Sequence, residues 1–365
     1  MNILVPNLGS TSLKYQVLEM PAGRALARGR KERVSDYRAA IAQIRLGDTR
    51  VDAVAFKAVH GGPGYRRTAI IDEVVLAALE EYQPAAPAHN AIYLTAIRAF
   101  REAFPQAPLV AAFETEFHAT MPEYAARYGV PAGWRERFGI RRYGFHGASH
   151  RYVSERAPEL LGRPRESLRL VSCHLGGSSS ICAIRGGRSV DTTMGFSPQS
   201  GLESATRHGD LDVFAVLYMM ERNAWTVDQV REQLTHTGGL AGLAGVAGGD
   251  LRDIEAAASA GNPDARLAVE VFAYQVTKTI GAYAAAMSGL DAIAFTGGIG
   301  ENSAALRARC LEPLRFLGVG LDAEANERSS GDRVVSPADS PVAVAALATN
   351  EELIVARRAW ALLTG

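Results

Sequence analysis

Short apolar runs broken by small polar turns set the frame of this chain. Ile3-Leu4-Val5 leads into Asn7-Leu8-Gly9-Ser10-Thr11-Ser12-Leu13-Lys14, and alternating Tyr15-Gln16-Val17-Leu18 follows. The pattern predicts strand, tight turn, strand, with a lysine just past the turn. The design returns half a chain later. Ser172-Cys173-His174-Leu175-Gly176-Gly177-Ser178-Ser179-Ser180 lies between the apolar runs 168–171 and 181–184. Glycine lets a backbone approach a ligand closely, and the amides and hydroxyls of such a turn can surround an anion. Two hairpins of this kind predict two related domains gripping one polyphosphate.

The pattern between the hairpins alternates strand and helix, which is an α/β arrangement. Runs 53–56 and 109–113 read as buried strands, with helices expected over 72–82 and 91–104. Residues 121–143 read as irregular, wrapping the surface between domains or closing over a cleft. Arg185-Gly186-Gly187-Arg188 reads as a second hairpin turn. Asn262-Pro263-Asp264 opens a helix whose Phe272, Val276, Ile280, Tyr283 and Met287 form a core stripe, with Gly289 at its C-terminal end. The strand 292–295 runs directly into Thr296-Gly297-Gly298-Ile299-Gly300-Glu301-Asn302-Ser303. The last strand, 342–347, passes through Thr349-Asn350-Glu351-Glu352 into a closing helix. The Gly-rich stretch 238–249 reads as a packed loop.

Composition narrows the class. At 365 residues with 47% hydrophobic content the chain is long enough for two domains and a sizeable core. Lys+Arg and Asp+Glu are both 39, so the basic excess of a duplex nucleic-acid binder is missing. Cys173, Cys182 and Cys310 are scattered, without CxxC spacing, which fits a reduced cytoplasmic protein better than a disulfide scaffold or zinc site. No signal-peptide pattern opens the chain, and no apolar run reaches the roughly 18 residues of a membrane span.

Several apolar strands end in polar groups: Asn7, Lys57, Glu114, His174, Gly298 and Glu351. Ligands of α/β sheets bind beyond strand ends, so these groups are expected to converge. Each also has a plain structural reading. Lys14 is either a phosphate ligand or a surface lysine. His146 is either a ligand or a buried, hydrogen-bonded histidine. Arg207 could equally be a loop arginine paired with Asp210 or Asp212, and Glu301 and Asn302 could simply cap a helix. Gly298-Ile299-Gly300 is not a GxGxxG dinucleotide pattern, and no Walker or protein-kinase motif set occurs. Taken alone, these motifs describe a phosphate-binding α/β protein.

Together they resemble acetate kinase, of the acetate and sugar kinase/actin superfamily, nearly end to end. The resemblance rests on Asn7 to Lys14, Val59-His60-Gly61-Gly62, Phe113 to Pro122, Arg141 to His150, and Cys173-His174-Leu175-Gly176. It continues through Met194-Gly195-Phe196 to Arg207, then Asp250-Leu251-Arg252, Phe295 to Ser303, and Thr349 to Leu353. It implies two duplicated actin-like, ribonuclease-H-like domains, each a mixed sheet flanked by helices around a nucleotide cleft. The expected division is 1–118 plus about 353–365 for the first domain and 119–352 for the second.

The implied activity is reversible transfer of the ATP γ-phosphoryl group to acetate, propionate or a slightly larger acid. By resemblance Glu114, His146, His174 and Arg207 are catalytic. Lys57, Val59, Ala88, Phe145 and Pro198 meet the acid. Lys14, His174 to Ser178 (with Leu175, Gly176 and Gly177), Asp250 to Arg252 (with Leu251) and Gly298 to Asn302 (with Ile299, Gly300 and Glu301) hold the nucleotide. Asn7 and Glu351 position Mg²⁺, and the family usually forms homodimers. A carboxylate is already ionised at neutral pH, so such an enzyme chiefly holds two anions in line and neutralises phosphoryl oxygens.

The sequence departs from the family where the acid binds. Lys57 replaces an arginine, Glu114 an aspartate, and Ala88 a leucine, while Gly177-Ser178 replaces Asn-Gly in the phosphate loop. Lysine keeps the charge but loses the two-pronged grip on a carboxylate. Ala88 favours a bulkier acid. The chain is also short for the family, chiefly between Lys14 and Lys57. Two rival readings remain open at this point: a nucleotide-binding relative with lost catalysis, acting as sensor or assembly module, and a kinase using another donor such as pyrophosphate.

Overall fold

Each of the two Gly/Ser hairpins starts a six-stranded mixed sheet in the computed structural model. It describes residues 1–9, 12–85, 87–328 and 331–365, apart from the side chains of 87–91. The first sheet contains β1 (Asn2–Leu8), β2 (Ser12–Glu19), β3 (Arg24–Glu32), β4 (Ala53–Ala58), β5 (Ala69–Ile70) and β6 (Leu109–Phe113). The second contains β7 (Arg169–His174), β8 (Ser180–Arg185), β9 (Arg188–Thr192), β10 (Ala292–Thr296), β11 (Arg333–Val334) and β12 (Ala343–Ala346). Their orders are β3-β2-β1-β4-β6-β5 and β11-β12-β10-β7-β8-β9. Read from the meander edge, the second order is β9-β8-β7-β10-β12-β11, which repeats the first strand for strand. In both sheets an antiparallel three-stranded meander continues into two parallel strands and an antiparallel edge strand. The duplication expected from the twin hairpins is therefore present in the backbone, and the fold is α/β with two duplicated domains.

The parallel strands β4, β6, β10 and β12 are buried almost throughout, since helices cover both their faces. β3, at an edge, alternates exposed with half-buried residues. Asn262 caps the helix Pro263–Ala286 by accepting from the amides of Asp264 and Ala265. Its stripe Phe272, Val276, Ile280, Tyr283 and Met287 is buried in the core of the second sheet, as the 3.6 period requires. The closing helix Glu351–Thr364 returns to the first sheet, packing Ile354, Val355 and Ala359 against Ile3, Val5 and Val110.

Two sequence expectations are corrected. Residues 238–249 form the short helix Gly239–Ala244 and a 3₁₀ turn rather than a loop. Residues 121–143 include the helices Glu123–Ala126 and Ala132–Phe138. Glycine and proline density hid both. No helix among the described residues is long and apolar enough to cross a membrane.

Candidate active site

His146 and His174 face each other with ring centroids 4.3 Å apart. His174 ends β7. His146 precedes the helix Gly147–Leu161 in a left-handed backbone conformation, φ 57°, uncommon for a residue with a Cβ. The amide of Gly147 donates to the Glu114 carbonyl, 3.0 Å, which ties this turn to the end of β6.

Serines fix both rings. His174 Nδ1 lies 2.7 Å from Ser149 Oγ, which in turn accepts from Thr349 Oγ1 at 3.1 Å. His146 Nδ1 lies 2.9 Å from Ser180 Oγ. Ser180 Oγ also contacts His150 Nε2 at 2.8 Å, and His150 Nδ1 lies 2.9 Å from Ser172 Oγ. These chains are satisfied when each serine donates to Nδ1, which puts the proton of both site histidines on Nε2. Neither Nε2 has a hydrogen-bond partner among the described residues. Burial pushes both imidazoles below their ordinary range, helped at His146 by His174 and His150, so both rings are neutral donors near neutral pH.

Arg207 donates to Ser178 Oγ at 2.7 Å, which places its guanidinium beside the β7–β8 turn. Asp210 and Asp212 accept from the amides of Gly201 and Phe214. The Arg207 loop is seated by Ala205 N donating to Gly177 O and by Ser179 N donating to Ser204 Oγ. Gly239, at φ 62°, underlies it, and a Cβ there would stand 2.6 Å from the Arg207 carbonyl. The second glycine loop is bound to the first: Ile299 N and Gly300 N donate to Leu175 O at 2.9 and 3.1 Å. Gly297, at φ 77°, is required there because a Cβ would come within 2.6 Å of that same oxygen. Gly177 and Gly298 face open space. Glu301 accepts from Gly297 N, and Asn302 donates to Gly298 O, so both close the short helix Gly297–Asn302 rather than open one. Asp250 caps the helix Leu251–Ser259 and takes a two-pronged hydrogen bond from Arg252.

Close to the His146 and His174 rings, Lys57 near the end of β4 forms an ion pair with Glu351, which begins the C-terminal helix. Burial opposes the Lys57 charge, but the Glu351 and Glu114 carboxylates outweigh it and hold the ammonium above its ordinary range. Burial also disfavours ionised Glu351, yet Lys57 and His174 hold it below the usual carboxylate range. Glu114 goes the other way: burial and the nearby Glu351 push it up to about 7 against the pull of Lys57. Its Oε1 is buried with no hydrogen-bond partner. Tyr93, which sequence reading passed over, is buried in the same group with its phenol pushed up to about 12.

Val59 and Phe145 are buried together with Met194, and Pro198 is buried nearby in sequence to Phe196. Phe196 accepts from His60 Nε2 at 3.1 Å, while Gly62 N donates to His60 Nδ1. His60 stacks on Tyr82 and is pushed down to about 4 by burial, so it is a neutral, structural ring. The Ala88 side chain lies outside the described residues, as do Ser10 and Thr11 of the first hairpin. Asn7 donates to Glu352 Oε1 at 3.0 Å, so Asn7 and Glu351 both meet the start of the C-terminal helix. Lys14, opposite Asn7 on β2, is exposed in an open groove shared with Arg28 and Glu352. Among the described residues no group of three His, Cys, Asp or Glu side chains is placed to hold a metal ion by itself.

The structure thus joins Lys57, Glu114, Glu351 and His174, and brings Arg207 to the Gly177–Ser178 turn. It also adds His150, Ser149, Ser180 and Thr349, which carry no ligand motif and serve as supports. Only the clustering of serines and histidines in 146–150 and 172–180 hints at them.

Comparison with known proteins shows the family of the chain. The model of the acetokinase family matches residues 33–357. The chain is 45% identical to the acetate kinase of Geobacillus kaustophilus over 97% of both chains, and 42% identical to that of Thermoanaerobacter pseudethanolicus over the full length of both. Among solved structures, Porphyromonas gingivalis acetate kinase superposes with a TM-score of 0.89 at 35% identity, covering 100% of both chains. A propionate kinase from Francisella tularensis gives 0.88 at 31% identity over 98% of both. Two neutral histidines on serine supports, an arginine at a glycine turn and a charged strand-end cluster are therefore found on a chain that belongs to the acetokinase family.

Proposed function

We propose that this chain is an ATP-dependent kinase of short-chain carboxylic acids, converting acetate, propionate or a slightly larger acid to the acyl phosphate. The observation that carries this reading is the pair of serine-held neutral histidines beside the Lys57–Glu351–Glu114 group. Donors of that kind suit a phosphoryl group whose charge spreads over its equatorial oxygens during transfer. Arg207 neutralises the same oxygens. The glycine turns 175–178 and 297–300 leave room for nucleotide phosphates, with Asp250 to Arg252 and Lys14 at the margins of that site. Lys57 and a protonated Glu114 meet the acid carboxylate, while Val59, Phe145, Pro198 and Ala88 bound its apolar tail.

Asn7 and Glu351 offer hard oxygen donors, which fits Mg²⁺, a cation that takes one or two protein oxygens and otherwise phosphates and water. When bound, Mg²⁺ would neutralise phosphate charge. We further propose the division into residues 1–118 with 353–365 and residues 119–352. Homodimerisation is supported by the helix Val213–Asn223, which exposes Val213, Phe214, Leu217 and Tyr218 together.

The test is hydroxylamine trapping of acyl phosphate from acetate, propionate, butyrate and valerate with ATP and Mg²⁺. Acyl hydroxamate from at least one acid is expected. Binding of ATP with no product from any acid would leave the chain a nucleotide-binding relative. Product only with pyrophosphate would reassign the donor.

A further inference from the structure

At the segment that follows β6, a pocket of about 370 Å³ is lined by Arg66, Arg67, Arg151, Arg165, Arg188 and Arg358, with Glu116 to Thr120 beside them. Glu116 is the single carboxylate in its lining, and it is already engaged. Its Oε2 accepts from Thr68 N and Oγ1 at 3.1 and 2.7 Å, and its Oε1 pairs with Arg358. Of the other five guanidinium groups, only Arg151 has a carboxylate partner among the described residues, and that partner, Glu155, lies outside the lining. Arg66 donates to the Ala119 carbonyl, and Arg165 to the Gly187 carbonyl and Ser154 Oγ, which are uncharged acceptors. Arg151 shares Glu155 with Arg357. Arg67 and Arg188 are exposed and make no side-chain hydrogen bond or ion pair among the described residues. The Nε atoms of Arg165 and Arg358 are buried without a hydrogen-bond partner.

Like charges gathered in one lining are unfavourable, as Arg67 acting on Arg358 shows, and the two orphaned donors add a desolvation cost. An anion relieves both. Guanidinium is the side chain best matched to phosphate, because its planar fork places parallel N–H groups on two oxygens. The pocket lies in the size range of small-molecule sites. It is also built from both halves of the chain. Arg66 and Arg67 follow β4 and Arg358 rides on the C-terminal helix, whereas Arg165 and Arg188 flank the second sheet's first hairpin strands. The helices that contribute Arg151 and Arg358 are the ones preceded by His146 and opened by Glu351.

We propose that this cavity is a second anion site, separate from the catalytic cleft, that takes a small molecule carrying two or more phosphate groups. Its occupancy bridges the two halves of the chain.

The test is isothermal titration of the full-length protein with inorganic tripolyphosphate and, separately, orthophosphate, without Mg²⁺. It compares Arg207→Ala, which weakens anion binding in the cleft, with the same protein also carrying Arg67→Ser and Arg188→Ser. Both added changes are on exposed side chains, and matching thermal unfolding without ligand checks that the fold is kept. Tripolyphosphate is expected to bind Arg207→Ala at one site per chain, at least about tenfold tighter than orthophosphate, and about tenfold or more weaker once both arginines are gone. Absence of binding to Arg207→Ala, or the same affinity in the triple variant, overturns the proposal. Equal affinity for both anions overturns its multi-phosphate specificity.

Discussion

On the proposed roles, two neighbouring parts of the site hold an anion in opposite ways. At the proposed phosphoryl side two neutral donors, His146 and His174, each with Nδ1 spoken for by a serine and Nε2 left open, stand with the Arg207 cation. At the acid side the cation is already paired: Lys57 contacts Glu351 and feels Glu114. A neutral ring buried in a low-dielectric wall costs little to keep and gains most when charge arrives. A buried lysine without a partner would lose its proton or destabilise the fold, so its carboxylate partner is the condition for keeping it charged. The difference predicts different kinetic signatures. Changes at the phosphoryl side should act on kcat, where charge develops, and changes at the acid side on KM for the acid.

The largest expected effect is therefore at Arg207. Arg207→Ala should lower kcat by about a thousandfold, the range seen when a phosphoryl-stabilising arginine is removed, while KM for the acid changes less than about threefold. Steady-state assay of both parameters checks it. A loss carried mainly by KM would place Arg207 among the substrate-anchoring groups and erase the contrast.

A smaller effect comes from pH. Of the groups around Glu114, Lys57 is held above its ordinary range, and Glu351 and the neighbouring His174 are held below theirs. Glu114, pushed up to about 7, is the one that changes charge near neutrality. Below that pH its neutral carboxyl can donate to the substrate carboxylate, and above it two negative charges meet. KM for acetate, measured at saturating nucleotide, should thus rise about tenfold between about pH 6 and about pH 8. Glu114→Gln should flatten this rise. A profile that is flat in the parent protein, or equally steep in the variant, would take Glu114 away from the acid.

The contrast also explains what could be read from sequence. Twin hairpins, the Asn262 cap and the Phe272–Met287 stripe depend on neighbours a few residues apart, and local pattern predicts them. The Lys57–Glu351 pair joins residues 294 apart and follows from how the C-terminal helix returns to the first sheet, which no local period encodes. His150 looks like its neighbours in 143–150, and only the fold turns it inward between Ser172 and Ser180. In 238–249 glycine frequency signalled a loop, yet Gly239 is there because the Arg207 loop lies against it. Resemblance only implies roles for single residues, whereas the neutral state of the histidines and the compensated state of Lys57 follow from burial and partners.

The smallest expected effect tests that compensation directly. Lysine presents a point charge, and in this structure Glu351 takes it. A substrate carboxylate must share that ammonium with Glu351, a buried carboxylate that Lys57 holds ionised. Arginine at the same position has five donors in a plane, enough to keep Glu351 and still offer a two-pronged edge to the acid. Lys57→Arg should therefore lower KM for acetate by about threefold, equivalent to about 0.7 kcal/mol, with kcat within about twofold. The gain should shrink at high pH, where ionised Glu114 competes for the new donors. An unchanged KM at every pH would mean that the acid carboxylate does not rest on residue 57. The Lys57–Glu351 pair would then be a fastening between the first sheet and the C-terminal helix, and Glu114 alone would face the acid.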